Sequence, residues 1–96
     1  RGWRETLVLQ RDGTLSFALT DAAGAPVSHL LITGKIGRPS TERHDRAPTL
    51  VATPSGDYRA NIGAIESGSW IVSLEARDPK TQEILFRSRK RLWIAP

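Results

Sequence analysis

The feature that most constrains this chain is a two-residue alternation of apolar and polar side chains, interrupted at short intervals by turn residues. In "TLSFALT", residues 14–20, Leu15, Phe17 and Leu19 fall on one side, with Ser16, Ala18 and Thr20 on the other. In "YRANIGAI", residues 58–65, Tyr58, Ala60, Ile62 and Ala64 share a face against Arg59 and Asn61. In "WIVSLEAR", residues 70–77, Trp70, Val72, Leu74 and Ala76 oppose Ser73, Glu75 and Arg77. Successive strand residues point to opposite faces, so each pattern describes a half-buried strand. A slip of one residue would expose the whole apolar set, which fixes the register.

Between the strands lie "RDG" 11–13, "DAAGAP" 21–26, "GRPS" 37–40, "PSGD" 54–57, "ESGS" 66–69 and "DPKTQ" 78–82. Glycine supplies positive φ, proline restricts φ, and Asp or Ser bonds its own backbone nearby. Further strands are expected near 5–10, 27–36 and 49–53, with "RDG" a tight hairpin in which Gly13 takes the left-handed position. No segment sustains a helical period. Short strands punctuated this regularly predict an all-β chain, an immunoglobulin-like β-sandwich of about seven to eight antiparallel strands. The 96 residues, 39% hydrophobic and 25% charged, suit one globular domain over 1–96 with one core. The expected core is Leu15, Phe17, Leu19, Leu30, Ile32, Ile36, Leu50, Tyr58, Ile62, Trp70, Val72, Leu74, Phe86 and Leu92.

The formal charge is +4, and its origin is local. Residues 1–86 balance their cations and carboxylates, so the whole excess comes from Arg87, Arg89, Lys90 and Arg91 in "FRSRKRLW". Strand phase sorts that stretch. Phe86, Ser88, Lys90, Leu92 and Ile94 share one face, and Arg87, Arg89, Arg91 and Trp93 the other. The result is a terminal strand with an outward arginine ladder, Arg87 standing to pair with Glu75 across the "DPKTQ" hairpin. Lys90 on the core face requires an overhang or a bulge. A solvated face is the plain reading of the ladder, and a contact surface for protein or lipid headgroups is the functional one. One narrow ladder on an otherwise neutral chain, with no recognised motif, argues against nucleic acid as a partner.

Sites for chemistry are scarce. There is no cysteine or methionine, so a disulfide, a thiolate metal site and a cysteine nucleophile are excluded. His29 and His44, with Asp45 as a conceivable third ligand, lie in different elements without ligand spacing, and nothing soft is present to recruit copper. "ERHDR", residues 42–46, reads as a charged loop; Ser40 and Thr41 beside it are not a triad, which requires an oriented base and an oxyanion site. "TGKIG", residues 33–37, lacks the terminal Lys-Ser/Thr of a phosphate-binding loop. No paired carboxylates stand out. A non-catalytic domain with neither metal nor cofactor is expected.

Taken in order, "GW" at 2–3, "DAAGAPV" at 21–27, "GRPSTERHD" at 37–45, Gly56-Asp57-Tyr58, Gly68-Ser69-Trp70 and the closing "RLWI" resemble the periplasmic domain of the FixH family, called CcoH in other bacteria. The resemblance spans nearly the whole chain. It implies a nitrogen-fixation-associated, membrane-anchored accessory protein for assembly of cbb3-type cytochrome c oxidase. Such a protein acts by contact with oxidase subunits, and it is encoded beside a copper-transporting P-type ATPase and an iron–sulfur accessory protein. It also implies a single membrane helix preceding Arg1, placing this domain on the periplasmic side of the inner membrane, with Trp3 and Arg4 near the bilayer surface where tryptophan is favoured. Two faces are candidates for partner docking: Arg87, Arg89, Arg91 and Trp93 on the ladder, and Arg38, Arg43, His44 and Arg46 in the 38–46 loop. The alternative is a generic extracytoplasmic immunoglobulin-like module binding carbohydrate or protein, for which only Trp3 and Trp93 could supply exposed aromatic platforms.

Overall fold

The computed structural model describes residues 2–39 and 41–96, with the backbone alone over 41–45. Eight strands and no helix run through these residues: β1 (Arg4–Leu9), β2 (Thr14–Thr20), β3 (Leu31–Arg38), β4 (Thr41–Arg46), β5 (Thr49–Ala52), β6 (Tyr58–Asn61), β7 (Gly68–Arg77) and β8 (Ile84–Ile94). Every pairing is antiparallel, in the order β1-β2-β6-β5-β3-β7-β8, with β4 also on β3. Thr49 and Leu50 pair with β3, whereas Val51 and Ala52 pair with β6. The sheet therefore folds over at β5 into two layers, β1-β2-β6 and β4-β3-β7-β8. This is the all-β sandwich expected from the alternation.

The hairpins follow their turn chemistry. Leu9 stands opposite Leu15, and Gly13 turns the corner at φ 94° while its amide donates to the Gln10 carbonyl at 2.9 Å. The Asp12 carboxylate accepts the Thr14 amide at 2.9 Å, which completes the turn. At the other end of the chain, Asp78 accepts the Lys80 and Thr81 amides at 2.8 and 3.1 Å, and β8 returns along β7 over nearly its full length.

One core fills the space between the layers. Leu15, Phe17, Leu19, Ile32, Ile36, Leu50, Tyr58, Trp70, Val72 and Leu74 are buried as the alternation requires. Leu30, Ile62, Phe86 and Leu92, expected in the interior, pack against it half-buried. Leu9, Ile65, Ala76 and Ile94 complete it. Polar groups are satisfied where they enter. Tyr58 donates its hydroxyl proton to the Val27 carbonyl at 2.8 Å and accepts the Leu30 amide at 3.3 Å, and burial raises its pKa above the ordinary phenol value. Trp70 donates its indole N–H to the Glu66 carbonyl at 2.9 Å.

Three expectations change. The strand set at 27–36 begins only at Leu31, because His29 takes φ 64° and Tyr58 fastens the 27–30 segment from outside the ladder. The charged stretch expected as a loop is strand β4, paired to β3 at Ile36–Arg46 and Arg38–Thr41. It has no apolar side for periodicity to reveal. The alternation through "YRANIGAI" also breaks. Gly63 takes φ 83° with its amide on the Asn61 side chain, so Ile65 turns inward and Ala64 is exposed.

Lys90 needs neither an overhang nor a bulge. It lies in register opposite Val72, and its ammonium reaches Glu5 of β1 at 3.7 Å, on the open side of the sandwich.

Two stability measurements test this account. Trp70→Ala removes a core ring and should lower the unfolding free energy by about 3–5 kcal/mol in urea titrations. Gly13→Ala should destabilise more than Gly24→Ala. Both glycines have positive φ, but a Cβ at 13 collides with the Gly63 backbone whereas one at 24 meets open space, leaving only the left-handed penalty of about 1–2 kcal/mol.

Candidate docking surface

The outer face of the β3-β7-β8 layer is built by register. On β7, Ser69, Ile71, Ser73, Glu75 and Arg77 alternate with the buried Trp70, Val72, Leu74 and Ala76. On β8, Arg87, Arg89, Arg91 and Trp93 take the same side, as strand phase predicts. On β3, Thr33 and Lys35 face outward between Ile32 and Ile36. Pairing then sets three rows across the sheet: Thr33–Glu75–Arg87, Lys35–Ser73–Arg89 and Gly37–Ile71–Arg91, with Ser69–Trp93 beyond them. A shallow depression of about 510 Å3 lies over the first two rows, lined by Thr33, Lys35, Ser73, Glu75, Arg87 and Arg89.

Charge on this face is compensated at one end and open along β8. Glu75 is clamped by Arg77 at 2.7 Å and by Arg87 at 3.2 Å, the cross-hairpin pair expected from the sequence. These contacts, Arg77's hydrogen bond first, hold its carboxyl below the ordinary glutamate range. Arg89 and Arg91 are exposed and have no ion-pair partner among the described residues. Trp93 is 69% exposed. The ladder is thus three guanidiniums in file, one of them occupied, ending in an open indole.

The second group of candidates behaves differently. Arg38 lies over the Trp70 ring, 4.6 Å from its centroid, and donates to the Ser67 and Ser69 carbonyls at 3.2 Å each. Arg46 donates to the Ile62 and Gly63 carbonyls and so ties β4 to the 62–63 turn. Both are half-buried struts. The side chains of Arg43 and His44 lie outside the described residues, as does that of Asp45. Lys35 and Ser73 were not singled out by sequence reasoning. Their place beside Arg89 depends on the pairing of β3 with β7, which no local pattern announces.

Four carboxylates elsewhere hold turns. Asp12, Asp21 and Asp78 accept turn amides, and Asp57 bonds Thr53 and Arg59. No cluster of three potential metal ligands occurs among the described residues, and His29 is exposed.

The clamp on Glu75 has a measurable sign. A depressed carboxyl pKa adds stability above the unfolded value, and that contribution is lost as pH falls through the folded value. In carboxyl-detected NMR titrations Glu75 should therefore titrate below an unperturbed glutamate. Arg77→Gln should move it back further than Arg87→Gln, because Arg77 supplies the larger share.

No curated protein and no solved structure matches the chain. The FixH family model matches residues 1–93, a span holding every strand up to Trp93 and the whole outward face. The chain belongs to the FixH family.

Proposed function

We propose that this domain is the periplasmic part of a membrane-anchored accessory factor. It assists assembly or maturation of cbb3-type cytochrome c oxidase by protein contact and performs no catalysis. The observation that carries the reading is the outward file of Arg87, Arg89, Arg91 and Trp93, held on the long β7–β8 hairpin of a FixH-family sandwich. Interfaces favour arginine and tryptophan as anchors, and complementary charge sets specificity and the rate of encounter. An oxidase subunit is the first partner to expect, with a copper-transporting P-type ATPase or an iron–sulfur accessory protein as further members of the assembly.

The position of the ladder favours a protein over a bilayer. Trp3 packs against Phe86, with ring centroids 6.2 Å apart, so the start of β8 lies beside the start of β1. From Phe86 the strand rises by ~3.3 Å per residue. With an inner-membrane helix preceding the domain, the arginines would stand away from the headgroups, available to the flank of a neighbouring protein. A carbohydrate-binding reading loses ground on the same contact, since Trp3 is half-buried and Trp93 alone of the tryptophans remains widely exposed.

The test is Arg87→Ser/Arg89→Ser/Arg91→Ser in the full-length protein. The domain should fold as before, since the three side chains face solvent, while co-purification with the oxidase and oxidase activity in membranes should fall towards those of a deletion strain. Active oxidase at the wild-type level would reduce the ladder to a solvated surface, and a deletion without effect on oxidase activity or haem content would overturn the assembly role.

A further inference from the structure

The middle row of the outer face places a serine between two cations. Neighbouring strands lie ~4.8 Å apart, so the Lys35 and Arg89 backbones are separated by about 10 Å, with Ser73 midway. The floor there is kept low. Ser73 is small, and its side chain is the only one that β7 raises between the two outer strands in this row. On the β8 side the wall is long, flexible and positive, since Arg89 has no ion-pair partner among the described residues. Among the described residues the Ser73 hydroxyl has no hydrogen-bond partner.

The trough has a direction. At one end Glu75 is already held by Arg77 and Arg87, which neutralises the one carboxylate described on this face and closes that end. At the other end the floor continues over Ile71 to Ser69, beside Arg91 and Trp93. Along β8 the arginines recur every second residue, about 6.6 Å apart. Same-side residues of any extended polypeptide repeat at that spacing. A bilayer surface needs a broad cationic plane, and this ladder is one residue wide.

We infer that the trough binds an extended acidic segment of a partner protein, with one carboxylate seated over Ser73 at Arg89. A second carboxylate lies at Arg91, and the segment's end rests against Trp93. The inference rests on the reading of β8 as a docking face and gives that face its ligand chemistry.

The experiment titrates the isotope-labelled chain with a synthetic peptide alternating glutamate and threonine, and with its glutamine-for-glutamate counterpart. A single-stranded oligothymidylate and vesicles of phosphatidylglycerol serve as competitors. The acidic peptide should shift the amide signals of Lys35, Ser73, Arg89 and Arg91 and change Trp93 fluorescence, with affinity falling as salt rises. Ser73→Glu fills the seat with a carboxylate of the chain itself. It and Arg89→Gln should each weaken binding at least about tenfold, whereas Arg59→Gln on the other layer should not. Retained amide spectra confirm that the variants fold. Equal binding of the glutamine peptide, shifts located elsewhere, tighter binding of vesicles or oligonucleotide, or an unaffected Arg89→Gln would each overturn the inference.

The two readings fail separately. Peptide binding with normal oxidase activity in the triple-serine strain would sink the oxidase role and leave the trough. Loss of oxidase activity in that strain with no peptide binding would sink the trough and leave the docking role.

Discussion

The sandwich depends on one short strand pairing in two directions. β5 gives its first two residues to β3 and its last two to β6, and without that switch the layers would be separate sheets with additional open edges. The local sequence makes the turn possible. Pro48 cannot donate to a ladder, so the strand it precedes is free to leave the path of β4, while its carbonyl still accepts the Gly34 amide at 3.1 Å. Leu50 sits at the fold-over and is buried there. The 53–57 turn, fastened by Thr53 and Asp57, then delivers Tyr58 into the core as the first residue of β6.

On the opposite side the sandwich has no such strand. β1 and β8 are the ends of the strand order, and side chains close the gap between them. Trp3 meets Phe86, Ser88 donates to Glu5, and Lys90 reaches the same carboxylate. An inward-pointing charge on each edge strand is a recognised way to stop an exposed edge from recruiting another chain. Here the two charges also satisfy each other, so the device does not leave a buried ion alone. Lys90, a charge on the core-facing phase of β8, is in register and has a function in the seam.

What could be read in the sequence was whatever the chain decides within about ten residues. The apolar faces of β2 and β7, the hairpin at Gly13, the outward phase of Arg87, Arg89, Arg91 and Trp93 and the Glu75–Arg87 pair are all local or lie across a single tight hairpin. Where tertiary contacts decide, the reading missed. The sequence of β4 holds no apolar alternation and takes its strand form from β3, and the end of β6 depends on Gly63 meeting the Gln10–Thr14 turn. Arg38 and Arg46 look like free loop cations, yet carbonyls distant in the chain occupy them. For the same reason Ser73 and Lys35 were invisible as a site, since their alignment follows from the β3–β7 register alone.

The arrangement of charge on β8 then has a specific physical meaning. Three like charges on one face of an edge strand repel each other, and two of them have no ion-pair partner among the described residues, so they do not serve the fold. They do limit association. Antiparallel pairing of two β8 edges would set arginines against arginines, and like charges directly opposite are destabilising. Acidic side chains at the same two-residue spacing would meet no such opposition. The face that carries three of the chain's four excess cations therefore opposes pairing with a second copy of itself. Charge set along an exposed edge strand in this way keeps that edge from recruiting further copies of the chain.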